Sequence, residues 1–211
     1  MNDPEIPSGT SAATKTNYHL FDYINSLNSD IYFRLLETIK KEISTDFFTL
    51  RMAYTKTLEW DPYDTELSAK YNTIRSLIDS SELAAALKIT ESILEQRFVD
   101  IDAHLYNGYI YKKLGEVAKS DYHYKINKGL IESICVSGDG RSAQTAFIVI
   151  STTEEYCLLS WFNLYSDQQA LLTADGHNFD LLKAIDQKTK KEYDIYFNID
   201  LPFSHLSKNF K

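Results

Sequence analysis

Apolar positions in the first two thirds of the chain recur at the spacing of an α-helix, and those towards its end alternate. From Asp30 onward, Ile31, Leu35, Leu36, Ile39 and Ile43 fall on one side of a helix, with Ser29 or Asp30 placed to cap its start. A second run, Phe47, Phe48, Leu50, Met52, Tyr54 and Leu58, follows Thr45 and Asp46 as caps. It closes at Trp60-Asp61-Pro62-Tyr63, where Pro62 cannot continue a helix and pushes Asp61 towards extended angles, so a turn is expected. Residues 1–17 are rich in Pro, Ser, Thr, Gly and Asn with almost nothing apolar to bury, the composition of a disordered leader.

Between residues 66 and 133 the helical pattern repeats. A shift of 34 residues lays Ile74 on Gly108, Leu77 on Tyr111, Ser81 on Gly115, Leu83 on Val117 and Ala86 on Ser120. In the second copy, Gly108, Tyr111, Gly115 and Tyr124 fall at the offsets of a tetratricopeptide helical hairpin. Residues 18–134 are therefore expected to be a helical, tetratricopeptide-like region with two such hairpins. Small residues at Gly108, Ala86 and Ser120 let paired helices approach closely, and Gly115 supplies a turn. Two copies leave large ends uncovered, which neighbouring segments must cover.

After Ile134 the period shortens to that of a strand. Ser137-Gly138-Asp139-Gly140 signals a turn, and Thr145 to Ile150 follows as a branched apolar run expected to be a central strand. Further strands are expected at Glu155 to Leu164, Gln169 to Thr173, Phe179 to Ile185 and Glu192 to Ile199. The short connections favour antiparallel neighbours. In the last strand Tyr193, Ile195, Phe197 and Ile199 alternate with Asp194, Tyr196, Asn198 and Asp200, so one face is expected to be buried and the other wet. The fold class is α+β: a helical region, then at residues 135–211 a four- or five-stranded antiparallel sheet packed on the helices.

Composition narrows the function classes. The 211 residues include 15 Tyr and 11 Phe, enough aromatic area to dominate a core, and a net charge of −8 spread evenly along the chain. With no segment forming a basic arm and the acidity even along the chain, nucleic acid and anionic membranes are not the expected partners. The two cysteines, Cys135 and Cys157, stand far apart without ligand spacing, as isolated buried thiols or as a disulfide between neighbouring strands. No apolar run reaches the roughly 20 residues of a membrane span, and the N-terminus lacks the apolar stretch of a signal peptide. As written the chain reads as cytoplasmic; removal of a leader would make it periplasmic or envelope-associated.

Four segments carry a wider resemblance: Asp46-Phe-Phe-Thr-Leu-Arg51-Met-Ala-Tyr54, Trp60-Asp-Pro-Tyr63, Gly140-Arg-Ser-Ala-Gln-Thr-Ala-Phe147 and Tyr193-Asp-Ile-Tyr-Phe-Asn-Ile-Asp200. Through them the chain, from about Ile31 to its end, resembles a bacterial family catalogued as domain of unknown function 4919. The resemblance implies no activity and no catalytic residues. Members often look like secreted or envelope proteins, a trait this chain departs from in lacking a visible leader.

The candidate chemistry is sparse. The five histidines show no metal-ligand spacing, and Asp100-Ile-Asp102-Ala-His104 reads as a capped helix start, so neither metal nor cofactor is expected. No Gly-rich phosphate loop or nucleophile elbow is present. An enzyme of unrecognised type would use the strip Asp194, Asn198 and Asp200, facing Glu154 or Glu155, as an acid/base site. In tetratricopeptide hairpins the first helix of each pair lines a concave face, and the resemblance places Tyr71 and Arg75 there from one copy, with Leu105, Tyr109, Lys112 and Lys113 from the next; these residue types suit an acidic, aromatic-bearing segment unless the chain's own residues fill the groove. The leading expectation is a non-enzymatic protein-interaction module, of which an acidic inhibitor or immunity-type binder is one version. Neither the partner nor the oligomeric state is legible.

Overall fold

A computed structural model describes residues 17–41 and 45–209, with side chains as far as Leu206. Residues 1–16 of the expected leader, and Ile43, lie outside the described residues. Asn17 is buried, and its side-chain amide donates to the carbonyls of Ser137 at 3.1 Å and of Ala146. Helices α1 (His19–Ser26), α2 (Ser29–Lys40) and α3 (Phe47–Tyr54) follow. The cap of α2 is Asn28 rather than Ser29 or Asp30, its side chain accepting from Ile31 N at 3.2 Å. Asp46 caps α3 by accepting from Thr49 N at 3.0 Å. The Trp60 turn is pinned to the later half of the chain, where the indole donates to Ile150 O at 3.0 Å.

Four helices then run as two hairpins: α4 (Thr65–Asp79) with α5 (Leu83–Gln96), and α6 (Ile101–Lys113) with α7 (Val117–Cys135). The 34-residue offset holds to the residue, since Asp79 and Lys113 end the first helices while Leu83 and Val117 begin the second. Both turns share one hydrogen-bond pattern. Glu82 N donates to Leu77 O at 2.8 Å and Ser81 N to Ile78 O at 3.0 Å; Glu116 N donates to Tyr111 O at 2.9 Å and Gly115 N to Lys112 O at 3.2 Å. This double closure needs a left-handed residue at the turn, supplied by Ser81 at φ 63° and Gly115 at φ 78°. At Gly108 a Cβ would lie 2.8 Å from the ring of Tyr124, so α6 and α7 touch where the glycine stands. Ile74, Ala86, Ile93, Ala103 and Ile110 form a core of their own inside the hairpins. No helix among the described residues is long and apolar enough to cross a membrane.

The rest of the chain forms β1 (Phe147–Ile148), α8 (Thr152–Trp161), β2 (Leu164–Ala174), β3 (His177–Asp186), β4 (Glu192–Asn198) and α9 (Asp200–Asn209). The sheet order is β1-β4-β3-β2; β2, β3 and β4 pair antiparallel, and β1 runs parallel to β4. The parallel pair is possible because α8 and the whole β2–β3 hairpin lie between its strands in sequence, enough chain for a crossover. Two expectations need correction. The run from Thr145 to Ile150 is fully buried, yet only Phe147 and Ile148 pair, and they do so at an edge of the sheet rather than its centre. The expected strand from Glu155 to Leu164 is instead helix α8 up to Trp161. Its start carries Glu154 and Glu155 in the first turn, and Glu155, Leu158, Leu159 and Phe162 turn inward at helical spacing. A buried glutamate at an apolar position disguised the period.

The alternation in β4 holds. Ile195 and Phe197 stand opposite Leu182 and Asp180 on the covered face, in one core with Leu50 of α3, Leu130 of α7 and Leu158 of α8. The other face is wet at Lys183 and Asp194, which pair at 2.7 Å, but closes at its far end, where Phe179 and Asn198 are fully buried. Across the seam between helices and sheet, Arg51 is wholly buried. Its guanidinium donates to both carboxylate oxygens of Glu154 at 2.8 and 2.6 Å, to Ser133 Oγ at 3.1 Å and to Ile148 O at 3.1 Å.

Candidate functional site

Helix α6 begins at Asp100, whose carboxylate caps it by accepting from Ala103 N at 2.9 Å and from the hydroxyl of Tyr71. One side of the helix is buried against α5 and α7. On the other, Leu105, Tyr109, Lys112 and Lys113 form an exposed stripe, Leu105 at 44% and Tyr109 at 38%. The ammonium of Lys113 lies 5.4 Å from the Tyr109 ring centre. Beside the start of this stripe, α6, α7 and α8 enclose a groove of about 340 Å³, with Leu105, Asn127, Ile131, Cys157, Ser160 and Trp161 among its walls. The Asn127 side-chain amide donates to Ile101 O at 3.0 Å, and Asp102, Ser160 and the Cys157 thiol add further polar groups to a mainly apolar wall.

The six residues singled out in the sequence divide. Leu105, Tyr109, Lys112 and Lys113 share the exposed stripe. Arg75 is exposed on α4 and leans towards α6, its guanidinium 2.6 Å from Asn72 Oδ1 and 3.4 Å from the Tyr106 hydroxyl. Tyr71 is turned inward: it is 5% exposed, stacked on Tyr106 at 5.7 Å and bonded to Asp100. Helix α8 covers the first turn of α6, where Cys157 and Asp102 line the same groove. The groove wall that sequence reasoning missed, Cys157, Ser160 and Trp161, was hidden by reading α8 as a strand.

Electrostatics at the floor favours neutral groups. Burial pushes the Asp100 carboxyl up to about 6, against the pull of its bonds from Tyr71 and Ala103. Burial also raises Asp102, which the Cys157 thiol and the Arg75 charge pull back down. Cys157 is held as a thiol, its ionisation pushed well up by burial and then by Asp102 and Asp100, the opposite of an activated nucleophile. Both cysteines are free. His104 points away from Asp102 into the protein. Its Nε2–H donates to Phe98 O at 2.8 Å, which leaves Nδ1 to accept from His123 Nδ1–H at 2.9 Å. Burial lowers the two rings to about 3 and about 4, so both are neutral. Among the described residues no three His, Cys, Asp or Glu side chains are grouped to hold a metal.

The acidic strip expected of an enzyme does not assemble. Glu154 belongs to Arg51, Asp194 to Lys183, and Asp200 to His177 and Asn178 at the start of α9. Glu155 instead meets Asp180 of β3, a residue the sequence did not single out. Burial first, then the neighbouring charge of Asp180, push Glu155 up to about 9, so at neutral pH it carries a proton; neither of its carboxyl oxygens meets a hydrogen-bond partner among the described residues. Glu155 is 0% and Asp180 4% exposed, which seals this pair from any substrate.

Residues 19–208 match the model of DUF4919, a domain of unknown function. No curated protein and no solved structure matches the chain.

Proposed function

The chain belongs to the DUF4919 family, and from its geometry we propose that it is a non-enzymatic protein-interaction module whose contact surface is the outer stripe of α6 and the groove beside it. In this reading the two hairpins are tetratricopeptide-like, by their shared turns and the small-residue contact at Gly108. The observation that carries the proposal is that Leu105, Tyr109, Lys112 and Lys113 lie exposed on one line leading into an apolar groove walled by Ile131 and Trp161.

A ligand for this surface carries one large apolar side chain and flanking acids. The apolar group enters between Leu105, Ile131 and Trp161, where it sheds water on all sides. The acids meet Lys112, Lys113 and Arg75, with Tyr109 as a rigid amphipathic contact between them. A net charge of −8 makes this cationic rim a local exception, so the ligand is chosen by the groove and not by the charge of the whole molecule. An inhibitor acting on a basic partner would have to use another face.

Selection of displayed peptides against the full chain tests the proposal. We expect enriched peptides to be acidic with an aromatic or aliphatic anchor. Lys112→Glu with Lys113→Glu should weaken them by about tenfold and favour peptides of reversed charge. Enrichment that is indifferent to both substitutions and to Leu105→Ala would overturn it.

A further inference from the structure

The sheet ends in an open edge. Among the described residues, strand β2, with 11 residues the longest strand, stands last in the sheet order and pairs only through β3. Its outer N–H and C=O groups are a ready template for another strand. Such edges are normally blunted by lysine, proline or extreme shortness. Here the strand holds no Lys, Arg or Pro, its single charge is Asp167, and its one irregularity is the bulge between Ser166 and Gln168. From Gln168 to Ala174 the ladder is regular.

The covered face of the sheet also outruns its cover at this edge. Leu171 lies opposite Asp180, a buried position on the core side, yet Leu171 itself is 60% exposed. Tyr156 of α8, 49% exposed, reaches the same edge with its hydroxyl 3.4 Å from Gln169 Oε1. An apolar edge of this kind is completed by a neighbour that continues the sheet and covers Leu171.

Charge indicates which neighbour. The turn that ends β2 carries Asp175, and at the other end of the strand Lys190 holds its ammonium 5.9 Å from the ring centre of Tyr165. We propose that β2 joins two copies of this chain, edge to edge and antiparallel about a two-fold axis near Ala170, merging their sheets into one. In that arrangement the Asp175 turn of each copy lies alongside Tyr165 and Lys190 of the other, so the opposite charges meet twice by symmetry. Backbone pairing supplies the bonds, Leu171 gains cover, and the two ion pairs fix the register.

Sedimentation velocity of the full chain over a wide concentration range tests this. A reversible monomer–dimer equilibrium is expected. Leu171→Lys sits at an already exposed position, so it should leave the melting temperature unchanged at concentrations where the chain is monomeric, while weakening the dimer about tenfold or more, since the change acts at both symmetric contacts. Asp175→Lys and Lys190→Asp should each weaken the dimer, and the two together should restore it. Lys112→Glu in the α6 stripe should have no effect, which separates this contact from the proposed peptide groove. A chain that stays monomeric throughout, or a dimer indifferent to Leu171→Lys and to the charge exchange, would overturn the proposal, as would pairing of β2 with foreign extended peptides only.

Discussion

Glu155 makes the stability of the protein depend on pH. Its folded-state ionisation lies at about 9 against an ordinary value of 4.5, so the folded chain holds this proton more tightly than the unfolded chain. The stability tied to the proton is complete below about pH 4.5 and is lost as pH rises towards 9, at about 1.4 kcal/mol per unit in that window. Glu155→Gln keeps the shape and removes the titration. Melting curves between about pH 5 and 8.5 should show the variant losing less stability than the parent as pH rises, whereas parallel curves would contradict the account. At this scale two caps were legible, Asp46 and Asp100, which do what acids before an apolar helical run do, because that bond is local; the cap of α2 was not, since Asn28 takes the role expected of Ser29 or Asp30. Glu155 was not, because burial of an acid is decided by a strand that arrives later in the chain.

At the scale of elements, the hairpins were legible for a physical reason. Their turns demand a left-handed residue at a fixed place, and Ser81 and Gly115 mark it 34 residues apart. Strand β1 was not legible as an edge, since its partner β4 is remote in sequence and only two residues pair. The segments that carry the family resemblance converge on the seam between helices and sheet. Arg51 of α3 binds Glu154 of α8, Trp60 reaches Ile150, and Tyr196 N of β4 donates to Gly140 O at 2.8 Å. They therefore read as the means of holding the layers together. Replacing Arg51 by Met leaves Glu154 buried without its partner and should cost about 3–5 kcal/mol in denaturant unfolding. Adding Glu154→Leu should recover part of that loss, and an equally unstable double variant would mean that the pair is not the unit that matters.

At the scale of the whole molecule, the groove exists because α8, a product of the C-terminal half, returns to lie across α6 and α7. Without α8 the stripe from Leu105 to Lys113 would be one face of a short helical array; with it, the stripe gains an apolar wall and a closed end at Asp102. The tetratricopeptide resemblance put Leu105, Tyr109, Lys112 and Lys113 on one face but also placed Tyr71 there, which is buried, and it gave no sign of the wall, since that depends on how two halves dock. The most direct measurement of the central claim is an NMR titration of the full chain with an acidic peptide bearing a single aromatic anchor. The account predicts amide shifts from Leu105 to Lys113, at Ile131 and at the Trp161 indole, with the strands unmoved. Shifts confined to the sheet, or none with any peptide recovered by selection, would contradict it.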